Sequence, residues 1–331
     1  MIDAEPTPYA VVFSGGGALG SWEVGCYRAI VERQNGHLPE IVTGASAGAL
    51  NAAAVCAGLS TDDLEKLWSN LKDDQVYEPQ FGWGTYLRFA VSALRQRSIQ
   101  KAAATKLRQD RSILKTAPLK KTLGNIFTGN RATGFQLSKI CFAISLTNLT
   151  EKRREVFYRT PDDHPPIDRP NWVRIRSPEM LIQALMGTTA LPVLFPQFES
   201  WFDGGVLMNQ PISPAILLGG QLIYVLIPTP AALGETTDLL QIASTALSVW
   251  LAESLIMQVE LIKVRNDIRR STGDPLLKIC IIRPLRNLEE AFGVSLLSFG
   301  VKIPELIKQG YDDAKTRLET FDQENPTTWD S

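Results

Sequence analysis

The chain has 331 residues, 44% hydrophobic and 21% charged, enough apolar sequence for a sizeable core and too little charge for a disordered chain. Its formal net charge of -1 excludes bulk attraction to nucleic acid. The four cysteines, Cys26, Cys56, Cys141 and Cys280, are far apart without C-x-x-C spacing, so they read as buried, reduced thiols and imply neither a disulfide framework nor a metal site.

The opening "MIDAEPTPYAVVF" lacks a basic segment followed by an apolar stretch and a small-residue cleavage site, so no secretory signal is expected. Residues 9–13 are an apolar run predicting a buried strand. From Ala18 to about Arg33, Leu19, Trp22, Cys26, Ala29 and Ile30 recur at helical spacing, and Asn35-Gly36 supplies a stop. "EIVTG" predicts a second short strand, and the Ala-rich run from Ala47 to Ala57 a second helix. Strand, helix, strand, helix is the pattern of a parallel sheet with covering helices. Further strands are expected at 139–149, 155–159, 221–227 and 276–282, and helices at 178–187, about 238–268 and about 304–321. No window is a clean apolar run of 18 residues; the best, Ala215–Pro228, is broken by Gly219, Gly220 and Gln221 and reads as a helix end, a turn and a strand. With no internal repeat and no linker, one α/β domain over 1–331 is expected, with a helical insertion or cap at about 60–130. A cytoplasmic location follows as the default.

Gly15, Gly17 and Gly20 fit the spacing G-x-G-x-x-G between the first strand and helix. A dinucleotide fold needs an acid about 20 residues on, at the end of the second strand, to bind the ribose. Here that strand ends in Val42 and Thr43 and runs into "GASAG", Gly44 to Gly48, while Glu32 and Glu40 fall in the first helix and at the strand's start. The glycines therefore serve other chemistry. G-x-S-x-G between a strand and a helix is a nucleophile elbow: a sharp turn exposes the serine oxygen, and small neighbours let the backbone pass close by. The helix N-terminus favours an oxyanion beside Ser46. The bland alternative is that Ser46 only caps the helix.

A histidine base is doubtful. The only two are His37, which precedes the strand leading to Ser46 and so falls at the opposite sheet edge, and His164, in the loop-like "PDDHPP". No histidine follows in the late position that an ordinary serine–acid–histidine order needs. "WFDGGVLMNQP" offers Asp203 before Gly204 and Gly205, a pattern that alone suggests a turn.

Taken in order, the glycine loop, the serine elbow and the late Asp-Gly-Gly resemble the patatin-like phospholipase family. "TALPVLFP" from Thr189 to Pro196, Asn209 with Pro211, "SILKTAPLKKTL" and "IPELIKQGYDDA" look family-like too, so the resemblance spans about residues 9 to 316. It implies a three-layer α/β/α sandwich around a largely parallel sheet, and a lipid acyl hydrolase acting on phospholipid or other lipid esters. It further implies a Ser46–Asp203 dyad, an oxyanion loop of Gly15, Gly16 and Gly17, and supporting glycines at Gly20, Gly44, Gly48, Gly204 and Gly205. No metal and no organic cofactor is implied. Acyl transfer to an alcohol on the same dyad, or a ligand-regulated binding protein with little turnover, are the alternatives. One departure stands out: many bacterial relatives carry a basic residue where this chain has Leu19.

The segment Arg88–Lys121 holds ten Lys/Arg and one acid, Asp110, and is preceded by Phe81, Trp83, Tyr86 and Leu87. Aromatics beside a basic helical stretch suit peripheral contact with an anionic membrane, at the inner face for a cytoplasmic protein. A solvated helical face and a pocket for an anionic ligand are the competing readings.

Overall fold

A computed structural model of the chain describes residues 8–80, 112–165, 167–229 and 239–321, with side chains described outside 239–254. The aromatic residues 81–87 and the basic residues 88–111 lie outside it.

The chain forms a mixed α/β fold, a largely parallel central sheet with helices on both faces. Its strands are β1 (Tyr9–Phe13), β2 (Ile41–Gly44), β5 (Cys141–Asn148), β6 (Arg153–Arg159), β7 (Trp172–Arg174), β8 (Trp201–Phe202), β9 (Leu222–Leu226) and β10 (Lys278–Ile282). β3 (Glu78–Pro79) and β4 (Leu114–Lys115) form a separate antiparallel ribbon. The main order is β10-β9-β1-β2-β5-β6-β7. β10, β9, β1, β2 and β5 run parallel, with Val11 opposite both Val42 and Tyr224 and Val42 opposite Phe142. β6 reverses against β5, because the short connection from Leu149 to Lys152 allows a hairpin and no crossover. The strand–helix alternation of the first elements is thus interrupted here: β5, β6 and β7 follow one another with no helix between them.

The central strands are continuous apolar runs because both of their faces are covered. Tyr9, Val11 and Phe13 pack with Trp22, Ile30 and Leu306, from the helices Gly20–Arg33 and Ile303–Phe321. Ala10 and Val12 face the other way, toward Ile212, Leu255 and Ile262, from the helices Ile212–Leu217 and Leu239–Thr272. Asn266 ties the last of these helices to the sheet by a reciprocal pair of hydrogen bonds with the Leu277 backbone, 3.0 and 2.9 Å. Within 60–130, the described residues include helices at Thr61–Asn70 and Ala117–Ile126. All four cysteines are buried and none forms a disulfide. Among the described residues no helix is long and apolar enough to cross a membrane.

One feature of the sheet positions the site. β2 stops at Gly44, opposite Ile144 of β5, and β8 pairs with the same strand further on, at Thr147 and Asn148. β6 occupies the other edge of β5, so β8 continues the line that β2 vacates. Residues leaving the ends of β2 and β8 are therefore brought together.

Candidate active site

The elbow at the end of β2 is sharp. Ala45 is extended (φ -134°, ψ 146°), and Ser46 then takes φ 50°, a left-handed conformation that costs a non-glycine residue of order 1–3 kcal/mol. Something must hold it, and Thr188 does. The Ser46 N–H donates to Thr188 Oγ1 at 3.0 Å, and the Thr188 hydroxyl donates onward to the Ser145 carbonyl at 2.7 Å. Thr188 ends the helix Pro178–Thr188, which starts at a Ser177 cap accepting from Met180 N–H. The helix Ser46–Cys56 begins immediately at the serine, and Gly48 lets it approach the glycine loop: a Cβ there would sit 2.4 Å from the Ser14 carbonyl oxygen. Gly44, the last residue of β2, packs against the Gly48 backbone, and Gly20 opens the first helix against Ala47 and Trp68.

Ser46 Oγ donates to Asp203 Oδ2 at 2.6 Å, the length of a charge-assisted bond. Asp203 directly follows β8, and its second oxygen accepts from the Gly205 N–H at 2.7 Å. Its backbone is held as well: Asp203 N–H donates to Ala190 O at 3.0 Å, Gly204 N–H to Thr188 O at 3.2 Å, and Thr147 Oγ1 to Asp203 O at 2.9 Å. Asp203 is only 2% exposed. Burial pushes its pKa up to about 6, against the pull of the hydrogen bonds from Ser46 and Gly205.

Residues 11–216, more than half of the chain, match the family described as patatin-like phospholipase. The chain belongs to this family. Membership supports lipid hydrolase activity.

The patatin-like glycine loop leaves β1 at Ser14, whose N–H donates to Glu23 at 2.6 Å and whose hydroxyl donates to Leu226 O at 2.5 Å. Gly15 exchanges two hydrogen bonds with the Asn209 amide: its N–H donates to Oδ1 at 3.0 Å, and Nδ2 donates to its carbonyl at 3.4 Å. The N–H groups of Gly16 and Gly17 have no acceptor among the described residues, and both glycines line the cavity beside Ser46. Gly17 has φ +55°, and the Leu296 carbonyl lies where its Cβ would be, so the position excludes any side chain.

The cavity over the serine has a volume of about 330 Å³. Its wall is mostly apolar, with Leu19, Leu50, Leu71, Val76 and Phe195 among the lining residues and Asp203 and Glu289 as its two carboxylates. Leu19, at the family's basic position, contributes to that apolar wall. The "TALPVLFP" block supplies Thr189, Leu191, Pro192 and Phe195. Neither histidine lines it; His37 is exposed before β2, and His164 Nδ1 lies 2.7 Å from its neighbour's carbonyl, Pro165 O.

Two supporting residues, Thr188 and Glu23, are not singled out by the sequence, and Asn209 enters it only as a motif letter, without its partner Gly15. Thr188 lies one position before the "TALPVLFP" block. Glu23 is a fully buried acid whose pKa burial raises well above its usual value; it accepts from Ser14 and from Asn51 Nδ2 at 3.0 Å. A signal for Glu23 existed: it falls in the same 4-3-4 row as Leu19, Cys26 and Ile30.

Among solved structures, the chain is similar to VipD from Legionella pneumophila (16% identity, 96% of this chain and 67% of that one, TM-score 0.41). It is also similar to the type III effector protein ExoU (14% identity, 96% and 54%, TM-score 0.39). ExoU from Pseudomonas aeruginosa in complex with SpcU gives 15% identity, 96% and 53%, and a TM-score of 0.37. This chain spans only about half the length of the ExoU chains. Likeness at this level carries no inference about ligand or activity. A comparison with curated proteins gave no match.

Proposed function

We propose that this patatin-like protein is a serine-dependent lipid acyl hydrolase that cleaves carboxylic esters of phospholipids or related lipids. Ser46 is the nucleophile and Asp203 its base. The Ser46 proton moves to Asp203 Oδ2 as Oγ forms a bond to the ester carbonyl carbon. The carbonyl electrons shift to oxygen, and the N–H groups of Gly16 and Gly17 hold the charge. Gly15 has its N–H committed to Asn209, so its role in this reading is to position the loop. Collapse of the tetrahedral species expels the alcohol, which takes the proton from Asp203. Water then attacks the acyl-enzyme by the same route, delivers its proton through Asp203, and restores Ser46.

An unshifted aspartate is a weak base for a serine hydroxyl, and burial raises Asp203 toward the operating pH. The apolar cavity suits an acyl chain, each buried CH₂ contributing about 0.8 kcal/mol. The observation that most supports this function is the 2.6 Å Ser46–Asp203 hydrogen bond in a family-matched chain, at the wall of an apolar cavity.

The test is lipid and short-chain ester hydrolysis by the parent, Ser46→Ala and Asp203→Asn, with fluorophosphonate labelling of each. Both variants are expected to lose nearly all activity while remaining folded, and label is expected on Ser46 of the parent. His37→Ala and His164→Ala are expected to keep most activity. Loss in His164→Ala at unchanged stability refutes the dyad. Acyl products appearing only with an added alcohol acceptor refute hydrolysis in favour of transfer.

A further inference from the structure

From Leu255 onward, the helix Leu239–Thr272 is apolar on two opposite faces. Leu255 and Ile262 are buried against the sheet at 3% exposure each, and Asn266 follows one turn further along the same face. Met257, Leu261, Val264 and Ile268 are 55–61% exposed. At about 100° per residue this second row lies roughly opposite the first. Its spacing, four, three and four residues, is that of a coiled-coil seam. The sequence keeps the same spacing upstream through Leu240, Ala243, Leu247, Trp250 and Ser254, about four heptads in all.

The borders of the row are charged with opposite sign. Glu260 and Asp267 flank one side, Gln258 and Arg265 the other. Glu260 and Asp267 pair only with exposed neighbours one turn away, Lys263 at 2.8 Å and Arg270 at 2.6 Å, contacts weak enough to exchange. Arg265 has no partner among the described residues. In a parallel pair of such helices, the acidic border of each meets the basic border of the other, Glu260 against Arg265 of the second copy. An antiparallel pair sets acid against acid. A lipid surface would need one sign along both borders, so the pattern is matched by its own copy.

We propose that the chain forms a parallel homodimer through this face of the helix, with Leu261 and Ile268 meeting their counterparts at the seam. The proposal is independent of the dyad, because the seam shares no residue with the cavity. Sedimentation velocity of the full chain at micromolar concentration is expected to show a dimer. Leu261→Glu is expected to sediment as a monomer with parental circular dichroism, melting temperature and short-chain ester hydrolysis. Glu260→Arg and Arg265→Glu should each weaken the dimer about 10-fold, and combining them should restore it. A monomeric parent, a dimeric Leu261→Glu, or a double reversal that fails to restore association overturns the proposal. Tighter association of Glu260→Arg overturns the parallel arrangement, since that is the antiparallel result.

Discussion

In the proposed dyad, the buried aspartate should make activity and stability move in opposite directions with pH. Burial raises the Asp203 pKa from the ordinary 3.8 to about 6, so the folded protein holds this proton more tightly than the unfolded chain. The stabilisation from that proton is therefore fully present below pH 3.8 and is lost as pH rises through 6. The shift of about two pH units corresponds to about 3 kcal/mol, a large part of the 5–15 kcal/mol typical of a folded domain. Asp203→Asn has no proton to lose, so its stability relative to the parent should rise by about 2.4 kcal/mol between pH 4 and pH 7. As the proposed base, Asp203 must be ionised for catalysis: log kcat/KM of the parent should climb with a slope near one up to about pH 6 and then level off. Urea unfolding of parent and variant from pH 4 to 8, beside ester hydrolysis over the same range, measures both. A stability difference that is flat with pH, or an activity midpoint near 4, refutes the reasoning.

Thr188→Val keeps the shape of Thr188 but removes the acceptor for the Ser46 N–H. We expect kcat to fall about 10–100-fold at little changed KM, with Thr188→Ser restoring most of it, as stopped-assay kinetics would show. Gly16→Ala would set a Cβ 2.6 Å from Pro228 Cγ. Displacing that donor should cost about 10²–10³-fold in kcat, with fluorophosphonate labelling slowed in parallel. In the basic segment, replacing Arg95, Arg97 and Lys101 with Gln should weaken co-sedimentation with anionic vesicles, at about 1 kcal/mol per side chain, and leave a soluble short-chain ester unaffected. Equal binding of parent and variant at low salt removes the segment from membrane contact.

Much of the sheet was legible because its strands are buried on both faces: the runs that became β1, β2, β9, β10 and the first half of β5 are largely apolar, bounded by glycine or helix signals. The strand at Trp201–Phe202 was not, since two residues form no period and its pairing with Thr147 and Asn148 is set by where β2 stops. The reversal of β6 has a local signal, the short gap between the strands expected at 139–149 and 155–159, which is too short for a crossover. In the site, the glycine spacings, the elbow and Asp-Gly-Gly were readable as local backbone demands. Thr188 and Asn209 act on residues 142 and 194 positions away, a relation that no local spacing encodes.

The stretch from Thr188 to Ala190 grips both residues of the proposed dyad at once: a side-chain oxygen takes the Ser46 amide, and two carbonyls take the amides of Gly204 and Asp203. The proposed nucleophile and its base thus share one mounting, like two lenses on a single rail. Drift of the rail carries both along and preserves their separation, while their aim toward Gly16 and Gly17 changes. The glycine loop hangs from a different bracket, Asn209, beyond the far side of the Asp-Gly-Gly turn. Thermal or mutational loosening of this region should then blunt oxyanion alignment well before it disturbs proton transfer, lowering the plateau of the pH–rate curve while its midpoint stays in place.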